Sequence, residues 1–586
     1  MHAPATPAPS SQFATAPSAW LLLLLLLPAL PYALDLPSFG ALQYNDYYGI
    51  VAQVLDGSAF TTDPARWLGI KSNEHTVTLP ALVYAANYGL TAGDNRGLSA
   101  LSILLVLLGA ALIWARTCRL QAWGHVGNAL AALVIAGLAF SPAMAHSLVM
   151  GFSGTIWLLA NLFAFAAITL LSRASRPTWW RLAGVVGCGW LGALTYTTSM
   201  SLWPAVLLGG AMLRIGWRRW LVLGAAAAAV VAFQWLLRAP RPPGHPVLNT
   251  DAWRLGFQYV SLYMGWPIVT DIGRAMLLGG AGLVAFALVL FLAWFPRFAA
   301  ARPMVALGLM LAVYGLGNAI GTAIGRSNFG IEHARSSRYV SLAMSFWIGL
   351  CIAALPMLRA LGGGFALRRW PVPVSALVGT TIAVAMVAAT WVCGEPVYRH
   401  YLDQAARQRL GAQAMLHLDF SEPTILDAIN CAPEQMAICA GWLHDLRHVP
   451  YQLPQQCRDL TAIDARRVTA QLDAGVIGHF DGLVPVRPEL YRVEAWAQAA
   501  TEIVEAVVLD EAGVVRGQLV CGLPRRDVVK VHGPGALYTG IGGYAHVPAG
   551  SMVAVLIRLA GKDCFQALPG QRPPALLGTL SDEVRR

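Results

Sequence analysis

Eleven apolar stretches punctuate the first two-thirds of the chain, at about 19–36, 98–115, 126–143, 152–171, 182–197, 199–213, 220–237, 275–295, 303–324, 340–358 and 372–392. Such stretches are of the length that crosses the ~30 Å of a bilayer's hydrocarbon as a helix. In lipid every backbone N–H and C=O must be bonded internally, which leaves little choice of structure. The expected fold class is therefore a polytopic α-helical membrane protein with about 11 transmembrane helices; the pair at 182–213 fits the pattern least well. Composition agrees: the 586 residues are 56% hydrophobic and 12% charged, against about 25% charged in soluble domains.

Charge then orients the helices. Nine of the 30 Asp and Glu precede Glu395, and none lies between Asp94 and Asp251. One alternate set of loops holds thirteen arginines, among them Arg116, Arg181, Arg218, Arg302 and Arg369, and no acid. The other set holds ten basic residues and all nine early acids. The positive-inside rule places the arginine-only loops in the cytoplasm, and the acidic loops with everything after Glu395 on the periplasmic side. The first apolar run is read as a retained helix rather than a cleaved signal, because residues 1–17 lack Lys and Arg. Net charge of +11 is thus loop arginine and gives no reason to expect nucleic acid as a partner.

Three domains are expected: 1–395 in the membrane, 396–475 as a helical linker region, and 476–586 as a β-sandwich. The last rests on short alternating runs such as YRVEAW, EIVEAVVLD, VVRGQLVCG, DVVKVH and MVAVLIRL, separated by turn residues. Cys118, Cys188 and Cys351 fall at apolar segments; the other six cysteines lie on the periplasmic side, where disulfides form. Cys521 with Cys564 is the preferred bridge, since both occupy the strand-rich segment.

Acids beside a membrane are costly unless solvated or used, so each is a candidate. Asp46 stands in QYNDYYGIVAQ among Tyr44, Tyr47 and Tyr48, ten residues past the first apolar run. A carboxylate there suits a general base that takes a proton from a sugar hydroxyl; a solvated loop acid or a helix cap is the plainer alternative. Glu74 and His75 in SNEHTVT form a second candidate pair, the alternative being an acid at a helix start. The third is GRSNFGIEHARSSRYVS, with Arg326, Arg335, Arg338 and Tyr339. Guanidinium groups outside the cytoplasmic loops call for an anion, and phosphate accepts them bidentately; Glu332 or lipid headgroups would also serve. The aromatic stretch WRLGFQYVSLYMGWP, ending near Trp266, suits headgroup depth. No P-loop or dinucleotide fingerprint occurs, which argues against an ATP-driven pump. The glycines of GLGNAIGTAIG read as helix packing.

These features resemble the GT-C superfamily of polytopic glycosyltransferases over roughly 20–395. The resemblance lies in the architecture, in the acid of the first outer loop, and in the Asn-Glu-His and Ser-Arg-Tyr stretches of a bacterial subgroup. It implies an enzyme of the bacterial plasma membrane that moves a hexosyl or pentosyl group from a polyprenyl-phosphate sugar donor to a cell-envelope glycan or lipid acceptor. It assigns Asp46 as catalytic base and Arg326 and Arg338 to the carrier phosphate, with Arg335, Tyr339, Tyr47 and Trp266 around the substrates. Glu74 and His75 would line the acceptor side. Many members carry a second acid in the next outer loop that helps to hold a divalent metal. Here that loop, SPAMAHSLVMGFSG, has only His146, so a metal-free mechanism fits better and no cofactor is assigned. A transporter of a lipid-linked saccharide would share much of this pattern, but its helix interiors should carry charge, and these are almost free of it.

Overall fold

A computed structural model describes residues 21–44, 46–56, 59–120, 125–173, 177–237, 250–362, 374–416, 442–450, 468–469 and 475–569. The chain divides into two compact units. The first takes residues up to Asp35, Trp67–Ala81 and Ser99–Tyr398; the second takes Leu36–Arg66, Leu82–Leu98 and everything from Arg399.

The first unit is helical. A helical run over Leu21–Ser38 is followed by α1 (Asn95–Leu120), α2 (His125–Ala139), α3 (Gly151–Leu171), α4 (Trp179–Ala193), α5 (Leu202–Met212), α6 (Trp217–Leu236), α7 (Thr250–Gly265), α8 (Ile272–Leu292), α9 (Arg302–Arg326), α10 (Val340–Gly362) and α11 (Val374–Leu416). Among the described residues nine helical stretches are long and apolar enough to cross a membrane: Leu21–Ser38 and those of α1, α2, α3, α6, α8, α9, α10 and α11. Two of the expected segments fall outside this set. The segments at 182–197 and 199–213 are α4 and α5, of 15 and 11 residues, or only about 22 and 16 Å at 1.5 Å per residue. Between them Thr195, Tyr196 and a 3₁₀ turn over Thr197–Ser201 interrupt the apolar run.

Helix packing in lipid depends on close backbone approach more than on apolar burial. α9 and α10 show it: a methyl group on Gly308 would meet the Gly349 carbonyl oxygen at 2.4 Å, and one on Gly349 would meet that of Gly308 at the same distance. Gly315, from the glycine-rich run, has the Leu342 carbonyl 2.6 Å from where its Cβ would lie. This crossing fixes where α9 ends and α10 begins, and the loop between them carries the late arginines.

The second unit centres on eight strands: β1 (Val468–Thr469), β2 (Ile477–Arg487), β3 (Leu490–Gln498), β4 (Ile503–Asp510), β5 (Val515–Leu523), β6 (Gly540–His546), β7 (Val553–Leu559) and β8 (Phe565–Ala567). Their order is β1-β8-β7-β4-β5-β6-β3-β2, antiparallel except for the β8–β1 pair. Where the alternation suggested a β-sandwich, hydrogen bonding joins the strands into one continuous sheet. Val493, Ala495, Val508, Leu519, Ile541, Val555 and Ile557 gather on one of its faces as the core. DVVKVH, expected as a strand, is instead a short helix, α12 (Arg526–His532), stopped by Gly533 at φ 83°. Gly-rich β6 has only Ile541 of the branched residues that mark a strand in sequence, and hydrogen bonds along both its edges hold it.

The expected Cys521–Cys564 disulfide is absent; both thiols are free. Cys521 is on β5 and Cys564 abuts β8, with β4 and β7 between these strands. Three strand spacings come to about 14 Å, twice the Cα separation that a disulfide tolerates. Cys431, Cys439 and Cys457 lie outside the described residues, as does most of the expected linker region.

The early segments of this unit are well packed. Tyr47 and Tyr48, on the helix Asp46–Ala52, are fully buried. The Tyr47 hydroxyl lies 3.1 Å from His448 Nε2, and burial raises the phenol's pKa above its ordinary value. Gly93 must be glycine: it sits at φ 80° with the His448 ring where a Cβ would be.

Candidate functional site

Lys71–Ser72 pairs with His75–Thr76 as a minimal hairpin, turned by Asn73 at φ 53°, a backbone region that asparagine tolerates. Glu74 and His75 thus stand on a hairpin. The following helix starts only at Thr78, so Glu74 is not the first-turn helix acid of the plainer reading. Its carboxylate lies 3.6 Å from His75 Nε2 and 3.8 Å from an Arg326 nitrogen. The other ring nitrogen of His75, Nδ1, is hydrogen-bonded to the Thr197 hydroxyl.

Arg326 is the last residue of α9, and the chain returns to α10 through three 3₁₀ turns. That path brings His333 to Arg338, whose Nη2 is 3.5 Å from His333 Nε2. Nδ1 of the same ring is 3.2 Å from the Tyr259 hydroxyl and 3.5 Å from that of Tyr339. A guanidinium only donates, so Nε2 accepts and Nδ1–H is directed at the phenols. Burial, then the charges of Arg338 and Arg326, hold His333 down to about 4; near neutral pH it is uncharged.

Aromatic side chains wall this cluster. The His75 ring is 4.3 Å from Tyr196, which packs at 4.7 Å on Trp157. Trp157 meets Tyr339 at 5.6 Å, and Tyr339 stacks on Tyr263 at 5.4 Å. The Arg338 guanidinium lies 5.4 Å from the Tyr339 ring centre. Ser337 fastens the loop, accepting from the His146 backbone N–H at 3.0 Å and donating to the Ala143 carbonyl.

Of the residues singled out by sequence, the first unit therefore brings together Glu74, His75, Arg326, Arg338 and Tyr339. Arg335 donates to Glu332 at 2.8 Å, the local pairing that the sequence left open. Trp266 is buried beyond the end of α7, and its indole N–H has no hydrogen-bond partner among the described residues. Asp46 and Tyr47 belong to the second unit, Asp46 as the half-buried first residue of its helix. Sequence reasoning missed His333, Tyr196, Thr197 and Trp157. The signal for His333 was in plain view between the arginines of IEHARSSRY. For Tyr196 and Thr197 it was the polar run TYTTS inside an apolar region.

Chemically, two guanidinium groups, one carboxylate and two histidines form a polar site with a surplus of positive charge, since Arg335 and Glu332 offset each other. Such a site suits an anion such as phosphate, and its aromatic wall suits the C–H faces of a sugar or prenyl chain.

No family model and no curated protein matches the chain. Among solved structures, ArnT from Cupriavidus metallidurans bound to undecaprenyl phosphate is similar at 14% identity over 71% of this chain and 85% of that one, with a TM-score of 0.38. A likeness at that level carries no argument about site or activity.

Proposed function

We propose that the protein transfers a sugar from a polyprenyl-phosphate-linked donor to a cell-envelope glycan or lipid at the periplasmic face of a bacterial plasma membrane. The observation that carries this reading is the cluster of Arg326, Arg338, Glu74, His75 and His333 where α9 gives way to α10. The arginine-only loops mark the opposite ends of these helices as cytoplasmic.

In this reading Arg326 and Arg338 hold the carrier phosphate and stabilise the charge that grows on it as the glycosidic bond breaks. Glu74 is already engaged with Arg326 and His75, which suits it to orienting them. His75, steadied by Thr197, lines the acceptor side. Asp46 takes the proton from the acceptor hydroxyl as that oxygen attacks the anomeric carbon, and the carrier phosphate leaves with the bonding pair.

The test is sugar transfer by the full-length protein in detergent, wild type against Asp46→Asn, across a panel of polyprenyl-phosphate sugars, with carrier binding followed in parallel. Transfer is expected to fall ~10²-fold or more, the scale of a lost general base, while binding survives. Unchanged transfer would remove Asp46 from the chemistry and make Glu74 the next residue to substitute. A wild type that binds carrier yet transfers from no donor would favour a transporter.

A further inference from the structure

From Arg399 onward α11 belongs to the second unit, where it is hydrogen-bonded to the C-terminal sheet. Arg409 donates to the Gly522 carbonyl at 3.3 Å and Gln413 to that of Gln518 at 3.0 Å. Asp403, a turn before Arg407, accepts from Arg526 at 3.0 Å and from the Tyr538 hydroxyl at 2.8 Å. Between these fastenings helix and sheet stand apart, leaving a cleft of about 460 Å³. That lies within the ~300–1,000 Å³ of small-molecule sites.

Its floor is β6, where Gly540 and Gly542 stand opposite Trp496 and Glu494 of β3, with the Arg525 stem and the Leu523 side chain packed over the two glycines. Leu410, Leu523 and Pro524 give it apolar edges. Its polar groups come in matched sets. Arg525 bridges Asp481 at 2.5 Å and Asp527 at 2.6 Å, and Arg492 pairs with Glu494 at 2.9 Å. Arg407 adds an exposed guanidinium with no ion-pair partner among the described residues.

We propose that this cleft binds a neutral saccharide. Three guanidinium groups and three carboxylates line it, so an anion would have to face the carboxylates and a cation the arginines. Hydroxyl groups donate and accept at once, and use the free lone pairs of Asp481, Asp527 and Glu494 together with the remaining N–H groups of the arginines. The pairs that hold those groups rigid lower the entropy that binding must cost. Leu410 and Leu523, which cover Gly542, offer an apolar surface to the C–H face of a sugar ring. The site does not rest on the transferase reading: a protein without transferase activity would keep it.

The experiment is equilibrium binding by the full chain in lipid nanodiscs. The probes are neutral oligosaccharides of glucose, galactose, mannose and N-acetylglucosamine, a glucuronate-containing oligosaccharide, and inorganic phosphate. Saturable binding of at least one neutral oligosaccharide is expected, weakened about tenfold by Arg407→Ala and by Asp527→Asn, as for loss of one charged hydrogen bond. Leu410→Trp, which fills the cleft and keeps every charge, should abolish it. Both charge substitutions are at exposed side chains, and an unchanged unfolding midpoint confirms that they fold. The proposal is overturned if no neutral saccharide binds, or if binding ignores all three substitutions. It is equally overturned if only phosphate or the acidic oligosaccharide binds.

Discussion

The bundle-end cluster and the cleft on the sheet are both built from arginine, yet they use it in opposite ways. On the sheet, Arg525 sits between two carboxylates and Arg492 beside a third. At the bundle end, Arg326 and Arg338 share the cluster with one carboxylate, Glu74, and the next ring against Arg338 is a histidine held uncharged. A matched set of charges contributes to the fold and presents both donors and acceptors. A surplus of one sign contributes little to the fold and waits for an anion. The same side chain therefore reads as structural support in one unit and as a ligand in the other, and its partners decide which.

The largest expected effect separates these roles directly. Arg338→Ala should weaken binding of a polyprenyl phosphate about 10- to 100-fold, the scale of one or two charged hydrogen bonds, and leave the unfolding midpoint almost unmoved. Arg525→Ala should do the reverse. It leaves Asp481 and Asp527 facing each other and should cost about 1–2 kcal/mol of stability, discounted because the cluster is partly open to solvent. Carrier affinity should not change. Denaturant unfolding and carrier titration of both variants check the contrast, and it breaks if Arg338→Ala proves the more destabilising of the two.

Acid should distinguish the two clusters again. His333 takes up a proton less readily when folded, at about 4, than in the unfolded chain at about 6.5. As pH falls, the unfolded state therefore binds protons first. The stabilisation is complete above about pH 6.5 and is lost between there and pH 4. With His333 only half-buried, the loss should be about 1–2 kcal/mol after solvent screening. In the cleft the sign leads to a lower window. Arg525 holds Asp527 down to about 2, so its contribution is present above about pH 3.8 and fades from there towards pH 2. Unfolding of wild type and His333→Gln between pH 4 and 7 tests this, since the variant should lack the upper window alone.

How much of this was legible in the sequence depended on the range of the forces involved. The membrane class could be read because hydrocarbon thickness acts on each segment separately. IEHARSSRY marked the cluster because arginines outside the arginine-only loops are anomalous residue by residue. Long-range pairing was not legible. Strand order decided that Cys521 and Cys564 stay apart, and nothing local to either cysteine carries that order. β6 has three glycines and a single branched residue, Ile541, in its seven positions. The role of Glu74 turned on Asn73, whose positive φ makes a hairpin where the apolar pattern suggested a helix. His333 was overlooked because its character comes from Tyr259, 74 positions away, and from burial that composition does not report.

The smallest effect is expected at Arg335, and it bears most closely on which arginines serve the carrier. In sequence Arg335 and Arg338 are equivalent, three residues apart in one loop. In the fold Arg335 pairs with Glu332, whose side chain is 62% exposed, and an exposed i,i+3 pair contributes only about 0.3–0.5 kcal/mol. Arg338 instead lies against His333 and Tyr339. Arg335→Ala should therefore shift stability by no more than about 0.5 kcal/mol and carrier affinity by less than about threefold, a loss of under 0.7 kcal/mol. Glu332→Gln sharpens the point. If Arg335 is held away from the carrier by its carboxylate, releasing it should leave binding unchanged or tighten it slightly as positive charge is freed. A loss of affinity on Arg335→Ala as large as that on Arg338→Ala would mean that the Glu332 pair opens when phosphate arrives, and the loop would then contribute both arginines to the carrier.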